Sequence, residues 1–165
     1  MRDDEHLTFY RADKRNFEVG ESIVSAGEFI LQNPDGSQEV ENIFEKFRPE
    51  SCCSRKQVLF VFKNECDAKK HWSKMIGGIL YEVKVHRDNV LFEADMALFN
   101  SAYVEKKDSD AVCRYAKQYW AGNVSEKPII EVFLKNSSAE VSRVISKDRQ
   151  EREKYFKSWA FCSTE

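Results

Sequence analysis

The chain has 165 residues, 42% of them hydrophobic and 33% charged, with a formal net charge of −2 at pH 7. This balance is typical of a folded globular protein and not of a disordered segment, and we predict a single domain over residues 1–165. The near-neutral charge gives no overall field for holding nucleic acid, so a nucleic-acid partner would need a local basic groove.

The first third of the chain predicts two strands and one helix. Residues 7–12 and 27–31 have strand character, and "NPDG" at 33–36 is a strong turn signal. Ser37 is the predicted cap of the helix that follows. The apolar residues of that helix recur on one face; they are Val40, Ile43, Phe44 and Phe47.

The middle of the chain predicts a central strand, a helix and a second strand. Residues 57–62, "QVLFVF", are apolar on both faces, as in a strand covered on both sides. Asn64 is the predicted cap of the next helix, through "NECDAKKHWSKM". Residues 79–85 alternate apolar and charged side chains, which indicates a half-buried strand.

The last third predicts two helices with a strand between them. One helix begins near Asp108 or Ser109, ends at Gly122 and buries an apolar face. That face comprises Val112, Tyr115, Ala116 and Tyr119. Residues 128–134, "PIIEVFL", predict a strand, and the charged tail predicts a final helix that packs Tyr155, Phe156 and Trp159. Strands separated by helices without a regular βαβ rhythm indicate a mixed α+β domain.

The cysteines and the N-terminal residues indicate a cytoplasmic protein. Five cysteines are an odd number and include no CxxC pair, which argues against a disulfide framework and for a reducing compartment. Cys66 and His71 lack the further ligands that a zinc site needs. The sequence "MRDDEH" has no apolar core like that of a signal peptide, and no apolar run is long enough to span a bilayer, so we predict no membrane partner.

Glu131 is the residue that fits its predicted strand least well. It shares a strand face with Ile129 and Phe133, and an unpaired charge on an apolar face is costly. One alternative is that this face is solvated, and another is that Glu131 forms a structural pair with a lysine.

Arg11 and Ser54 are the other two candidates. Arg11 follows Phe9 on one face of the first strand, where a guanidinium either grips a phosphate or forms a surface salt bridge with Asp13. Ser54 precedes the most apolar strand, where its hydroxyl either touches a ligand or makes a turn hydrogen bond. Ser51 is an alternative for this middle position.

Taken together, these residues resemble the Arg–Ser–Glu layout of the ADP-ribosyltransferases. "FYRAD" resembles the first element, "SRKQVLFVF" followed by "DAKKHW" the second, and "EVFL" the third, over roughly residues 7–145. The resemblance implies an ADP-ribosyltransferase-like split β-sheet that binds bent NAD in a cleft between its halves. It is closest to small bacterial toxin and phage-defence members, including those of toxin–antitoxin modules.

The resemblance also implies a role for each candidate residue. Arg11 would contact the pyrophosphate or the adenosine ribose of NAD, and Ser54 the nicotinamide ribose. Glu131 would hold the ribose 2′-hydroxyl and stabilise the positive charge that develops as nicotinamide leaves. Phe62, or failing that Tyr10, would stack on nicotinamide.

The chain departs from family members that modify arginine, which carry Glu or Gln two residues before the catalytic Glu. That position is Ile129 here, and Glu126 is out of step with the strand face. A nucleic-acid acceptor, RNA or DNA, is therefore slightly preferred over a protein. A basic rim for such a strand would comprise Lys14, Arg15, Arg55 and Lys56, although each of these also fits an ordinary solvated surface.

The predicted function is therefore that of a cytoplasmic NAD-dependent mono-ADP-ribosyltransferase, a toxin or defence effector. Such an enzyme implies a neutralising antitoxin protein as a partner, which the sequence does not identify. One alternative is a non-catalytic binding module in which Arg11 and Glu131 belong to structural ion pairs. The other is an NAD glycohydrolase that transfers ADP-ribose only to water.

Overall fold

A computed structural model describes residues 5–25 and 37–162, with backbone only for Ser37 and residues 159–162. The strands are β1 (His6–Asp13), β2 (Ser22–Ile23), β3 (Leu59–Phe62), β4 (Ile79–His86), β5 (Val90–Asp95), β6 (Ile130–Leu134) and β7 (Ala139–Ser146). The helices are α1 (Ser37–Lys46), α2 (Glu65–Lys74), α3 (Met96–Val104), α4 (Ser109–Trp120) and α5 (Arg149–Cys162). The chain therefore has a mixed α+β fold.

The chain forms two compact units, each assembled from separate segments of the sequence. Unit 1 comprises Met1–Ile23, Val61–Asn89 and Ser137–Glu165. Unit 2 comprises Val24–Phe60 and Val90–Asn136. The boundary at Phe60 and Val61 falls inside β3, so this strand contributes residues to both units.

Unit 1 is built on strands that hydrogen-bond in the order β2-β7-β4-β1-β3. The pairs β2–β7, β7–β4, β4–β1 and β1–β3 are antiparallel. Alternation along β4 buries Tyr81, Val83 and Val85, while Lys84 is exposed. Asn64 caps α2 as predicted, because its side chain accepts a hydrogen bond from the backbone N–H of Cys66.

Unit 2 places β6 between β3 and β5 and packs α1, α3 and α4 around an aromatic core. Helical spacing puts the buried residues of α4 on one face. These residues are Ala111, Val112, Ala116, Tyr119 and Trp120. Tyr119 lies edge-to-face against Phe44 at 5.1 Å, so α1 and α4 share one apolar layer.

Most of the predicted elements are confirmed, and the structure contains four further elements that the sequence pattern did not predict. The predicted strands at 7–12, 57–62, 79–85 and 128–134 and all four predicted helices are present, with bounds shifted by a few residues. The predicted strand at 27–31 and turn at 33–36 lie outside the described residues. The elements that the sequence pattern did not indicate are β2, β5, α3 and β7.

Three predicted core residues are less buried than expected. Tyr115 is only half-buried on α4. Phe156 is 41% exposed on α5, and Tyr155 is half-buried, so the expected apolar face of this helix is only partly covered. Trp159, the third residue predicted to pack on this helix, is among those for which only the backbone is described.

The described residues contain free cysteines but neither a metal-ligand cluster nor a membrane-spanning helix. Cys52, Cys53, Cys66 and Cys113 are free. Within the described ranges, no group of three or more His, Cys, Asp or Glu side chains is placed to hold a metal ion. None of the described helices combines the length and the apolar character needed to cross a membrane.

Asp95 connects three segments of unit 2 through one carboxylate that is only 1% exposed. Its Oδ1 accepts hydrogen bonds from the backbone N–H groups of Ala97 and Ile129, and its Oδ2 accepts one from that of Ser125. Burial alone would raise the pKa of Asp95, but the hydrogen bonds from Ser125 and Ile129 lower it below its ordinary value of 3.8.

We therefore expect a pH-dependent contribution of Asp95 to stability. Because its folded-state pKa is lowered, the stabilisation is present above pH 4 or so and is lost as pH falls through the folded-state pKa. Asp95→Asn replaces one acceptor oxygen by an amide and should lower the free energy of unfolding by about 1–3 kcal/mol at pH 7, and by less at low pH. Urea unfolding at neutral and acidic pH measures both effects; an equal loss at both pH values would contradict the assignment.

Candidate functional site

Glu131 is buried on β6 and forms an ion pair with Arg55. Glu131 is 4% exposed and Arg55 is 3% exposed. Nη1 of Arg55 lies 2.7 Å from Oε1 of Glu131. The sequence offered two alternatives for Glu131, a solvated strand face and a structural pair with a lysine. The first is wrong because Glu131 is buried. The second is wrong only in the partner, which is an arginine.

Arg55 has a second carboxylate partner and is surrounded by aromatic rings. Its Nε lies 3.0 Å from Oε2 of Glu41, which belongs to α1. The centre of the guanidinium lies 4.9 Å from the ring of Phe60 and 4.7 Å from that of Phe99. Arg55 also donates a hydrogen bond to the hydroxyl of Tyr119. Cation–π contacts and paired carboxylates together offset the loss of water around the charge.

Tyr119 completes the network by donating a hydrogen bond to Oε1 of Glu131 at 2.5 Å. Burial raises the pKa of Tyr119 well above its usual value, so the phenol stays protonated and acts as the donor. Burial alone would lower the pKa of Arg55, but Tyr119, Glu131 and Glu41 raise it well above its usual value. Arg55 is therefore a permanent cation. We call Glu41, Arg55, Tyr119 and Glu131 the Arg55 network.

The two oxygens of Glu131 have different surroundings. Oε1 accepts hydrogen bonds from both Arg55 and Tyr119. Among the residues that the structure describes, no group donates a hydrogen bond to Oε2. The carboxylate is thus anchored through one oxygen, and the other retains its capacity to accept a hydrogen bond.

Three elements of unit 2 and one turn bring the Arg55 network together. Glu41 lies on α1 directly after buried Val40, at the border of the apolar face. Tyr119 lies on the buried face of α4, and Arg55 follows Ser54 ahead of β3. The sequence pattern singled out Glu131, placed Arg55 only in the predicted basic rim and gave Glu41 no role. The one local signal was an acidic residue beside the apolar stripe of α1.

Ser54 makes the turn hydrogen bond that was one of its two predicted roles. It is 8% exposed, and its Oγ accepts a hydrogen bond from the backbone N–H of Lys56 at 3.2 Å. Within the described residues it makes no hydrogen bond to Glu131. Ser54 is thus adjacent in sequence to Arg55 but bonded to the turn, whereas Ser51 is exposed.

Arg11 lies in unit 1, on the face of β1 that also carries Phe9 and Asp13. Its Nε and Nη2 both lie 2.9 Å from Oδ2 of Asp13, so the predicted salt bridge is confirmed. Arg15 also donates to Asp13, so two guanidinium groups share one carboxylate. Burial would raise the pKa of Asp13, but hydrogen bonds from Arg15 and the charge of Arg11 lower it below the ordinary value.

Tyr10 and Phe62, the predicted nicotinamide-stacking residues, are register partners on β1 and β3 in unit 1. The ring of Phe62 lies 5.3 Å from that of His71. Burial, Lys74 and Arg11 lower the pKa of His71, which favours the neutral imidazole. Because consecutive strand residues point to opposite faces, Tyr10 and Arg11 do not share a face of β1.

The predicted basic rim is wrong for Arg55. Lys14 and Lys56 are exposed and Arg15 is half-buried, but Arg55 is a core residue. Its neighbours Ser54 and Lys56 give the local sequence a polar character, which led to the surface interpretation.

Comparison with known proteins places the chain in one family. The sequence profile of the family described as "protein of unknown function (DUF2441)" matches residues 4–147, and the chain belongs to this family. No curated protein matches the sequence.

We expect Arg55→Met to destabilise the protein strongly. The substitution leaves the Glu41 and Glu131 carboxylates buried without their cation, which should lower the free energy of unfolding by about 3–5 kcal/mol. Lys56→Met removes a neighbouring exposed charge and should change stability by no more than about 0.5 kcal/mol. Urea unfolding at pH 7 measures both variants. Similar small effects of the two substitutions would show that the Arg55 network does not stabilise the fold.

Proposed function

We propose that the protein is an NAD-dependent mono-ADP-ribosyltransferase in which Glu131 is the catalytic carboxylate. The observation that carries the proposal is the asymmetry of Glu131, with Oε1 held by Arg55 and Tyr119 and Oε2 without a donor among the described residues. Oε2 fits a ribose hydroxyl, which is a hydrogen-bond donor of the required kind.

The proposed reaction uses a carboxylate that is fixed before the substrate binds. Heterolysis of the nicotinamide–ribose bond releases neutral nicotinamide and leaves positive charge on the ribose, as in glycoside hydrolysis. A carboxylate that holds the 2′-hydroxyl stabilises this charge most strongly where it develops, in the transition state. Arg55 and Tyr119 act as positioning residues, because they fix Oε1 without themselves contacting the ribose.

The order of the candidate residues along the chain also supports the proposal. Arg11 lies on β1, Ser54 lies ahead of β3, and Glu131 lies on β6. An ADP-ribosyltransferase-like split β-sheet carries its Arg, Ser and Glu residues in this order, and we propose that fold for this chain.

The proposed acceptor is a nucleic acid, and the proposed role is that of a toxin or defence effector. Ile129 occupies the position that is acidic in arginine-modifying relatives, and its backbone N–H is bonded to Asp95. An apolar residue there provides no second carboxylate to activate an arginine side chain. A cytoplasmic location and a neutralising antitoxin belong to the same proposal.

The second candidate is a non-catalytic binding module. The observation that favours it is that both proposed reactive residues already have ion-pair partners, Arg55 for Glu131 and Asp13 for Arg11. In this view the Arg55 network is entirely structural. The two functions differ in one respect that is simple to measure, which is cleavage of NAD.

We expect Glu131→Gln to lower the rate of ADP-ribose transfer strongly while leaving a folded protein. Purified protein is incubated with NAD labelled in the adenylate part and with cell extract, and the product is then digested with nuclease or with protease. Replacing the carboxylate by a neutral amide should lower the rate about 10²–10³-fold. Glu126→Gln is the control, since it removes an exposed carboxylate outside the Arg55 network; it should keep the activity.

Each other outcome has a definite meaning. Label transfer at an unchanged rate in Glu131→Gln rules out Glu131 as the catalytic residue. Nicotinamide release without macromolecular label identifies an NAD glycohydrolase. Label lost to protease and resistant to nuclease identifies a protein acceptor. No cleavage of NAD by the wild-type protein favours the binding module.

A further inference from the structure

A groove in unit 1 lies between the end of α2 and the middle of α5. Its volume is about 280 Å³, and its lining includes the apolar side chains of Met75, Ile76 and Phe156. Ile76 is 86% exposed and Phe156 is 41% exposed. Apolar side chains so exposed, grouped around a concavity, are a common feature of ligand and partner sites.

Arg152, on α5, also lines this groove and is 8% exposed. Among the residues that the structure describes, its guanidinium has no carboxylate, hydrogen-bond acceptor or aromatic ring as a partner. Arg149, one turn earlier on the same helix, forms an ion pair with Glu153 at 3.0 Å. Most of the Arg152 side chain is covered, but its guanidinium nitrogens are not among the fully buried unpartnered atoms of the described residues. Arg152 is therefore a place where an anion from outside would be stabilised.

The charges around Arg152 add to this effect. Lys74 and Lys157 also line the groove, and the one acidic residue of the lining, Glu153, is the partner of Arg149. The lining therefore combines net positive charge with exposed apolar surface. A matching ligand carries an anion attached directly to an apolar group.

We propose that the groove binds the C-terminal residue of a partner polypeptide, with its carboxylate on Arg152 and an apolar side chain against Ile76 and Phe156. A guanidinium binds a carboxylate through two parallel hydrogen bonds. The volume suits a single residue and is below that usual for a cofactor site. A carboxylate fits better than a phosphate, because a doubly charged anion loses more hydration beside apolar side chains. The proposal is independent of any reaction with NAD.

The experiment is an NMR titration of the full chain, following the backbone amides of α2 and α5. The probes are N-acetyl-leucine, which mimics an apolar C-terminal residue, N-acetyl-leucinamide, which lacks the carboxylate, and inorganic phosphate, which lacks the apolar group. We expect N-acetyl-leucine to bind with an affinity at least about tenfold higher than the other two probes, which corresponds to one charge-assisted contact. Arg152→Met should remove this preference. Lys154→Met, which removes an exposed cation of the same helix outside the groove lining, should retain it.

Any of four results would overturn the proposal: no binding of N-acetyl-leucine, equal binding of its amide, equal binding of phosphate, or unchanged binding in Arg152→Met. Thermal unfolding without ligand gives an independent readout. Because Arg152 lacks a described partner, Arg152→Met should have a melting temperature no lower than that of the wild type. A clearly lower melting temperature would show that Arg152 has a structural role in the unliganded protein, which would also contradict the proposal.

Discussion

The burial of Arg55 is the constraint on which unit 2 depends. A guanidinium that is 3% exposed must recover, from protein groups, the hydrogen bonds and counter-charge that water would supply. It does so from Glu41 on α1, Tyr119 on α4 and Glu131 on β6. Each partner belongs to a different element, so satisfying one cation fixes the positions of two helices and a strand. Apolar contacts alone are less directional and would specify this arrangement less closely.

The same constraint shapes the chemistry available to Glu131. Both described hydrogen bonds go to Oε1, so the carboxylate cannot rotate freely, and its charge is balanced by a cation that does not titrate near neutral pH. Such a carboxylate suits an enzyme whose substrate develops positive charge. Its negative charge is already oriented, so no reorganisation free energy is needed during the reaction. In a purely structural network, Oε2 would receive no substrate hydroxyl. Whether Oε2 receives one therefore distinguishes the two views of the site.

Sequence patterns predicted local structure well, because local structure depends on neighbouring residues. The cap at Asn64 and the apolar face of α4 follow from side-chain type and helical spacing. Glu131 stood out because a carboxylate in "PIIEVFL" conflicts with its neighbours. Arg55 did not stand out, because its polar neighbours Ser54 and Lys56 indicate a surface segment. Its partner Glu131 is also 76 residues away in the chain. Long-range ion pairs of this kind leave little trace in local periodicity.

The proposed function requires Oε2 of Glu131 to receive a ribose hydroxyl while Oε1 stays on Arg55 and Tyr119. A crystal structure of the protein with NAD would show whether this contact forms. We predict that the 2′-hydroxyl of the nicotinamide ribose lies within hydrogen-bonding distance of Oε2, with the contacts to Oε1 unchanged. NAD bound away from Glu131, or a network that must break before the ribose can approach, would contradict it.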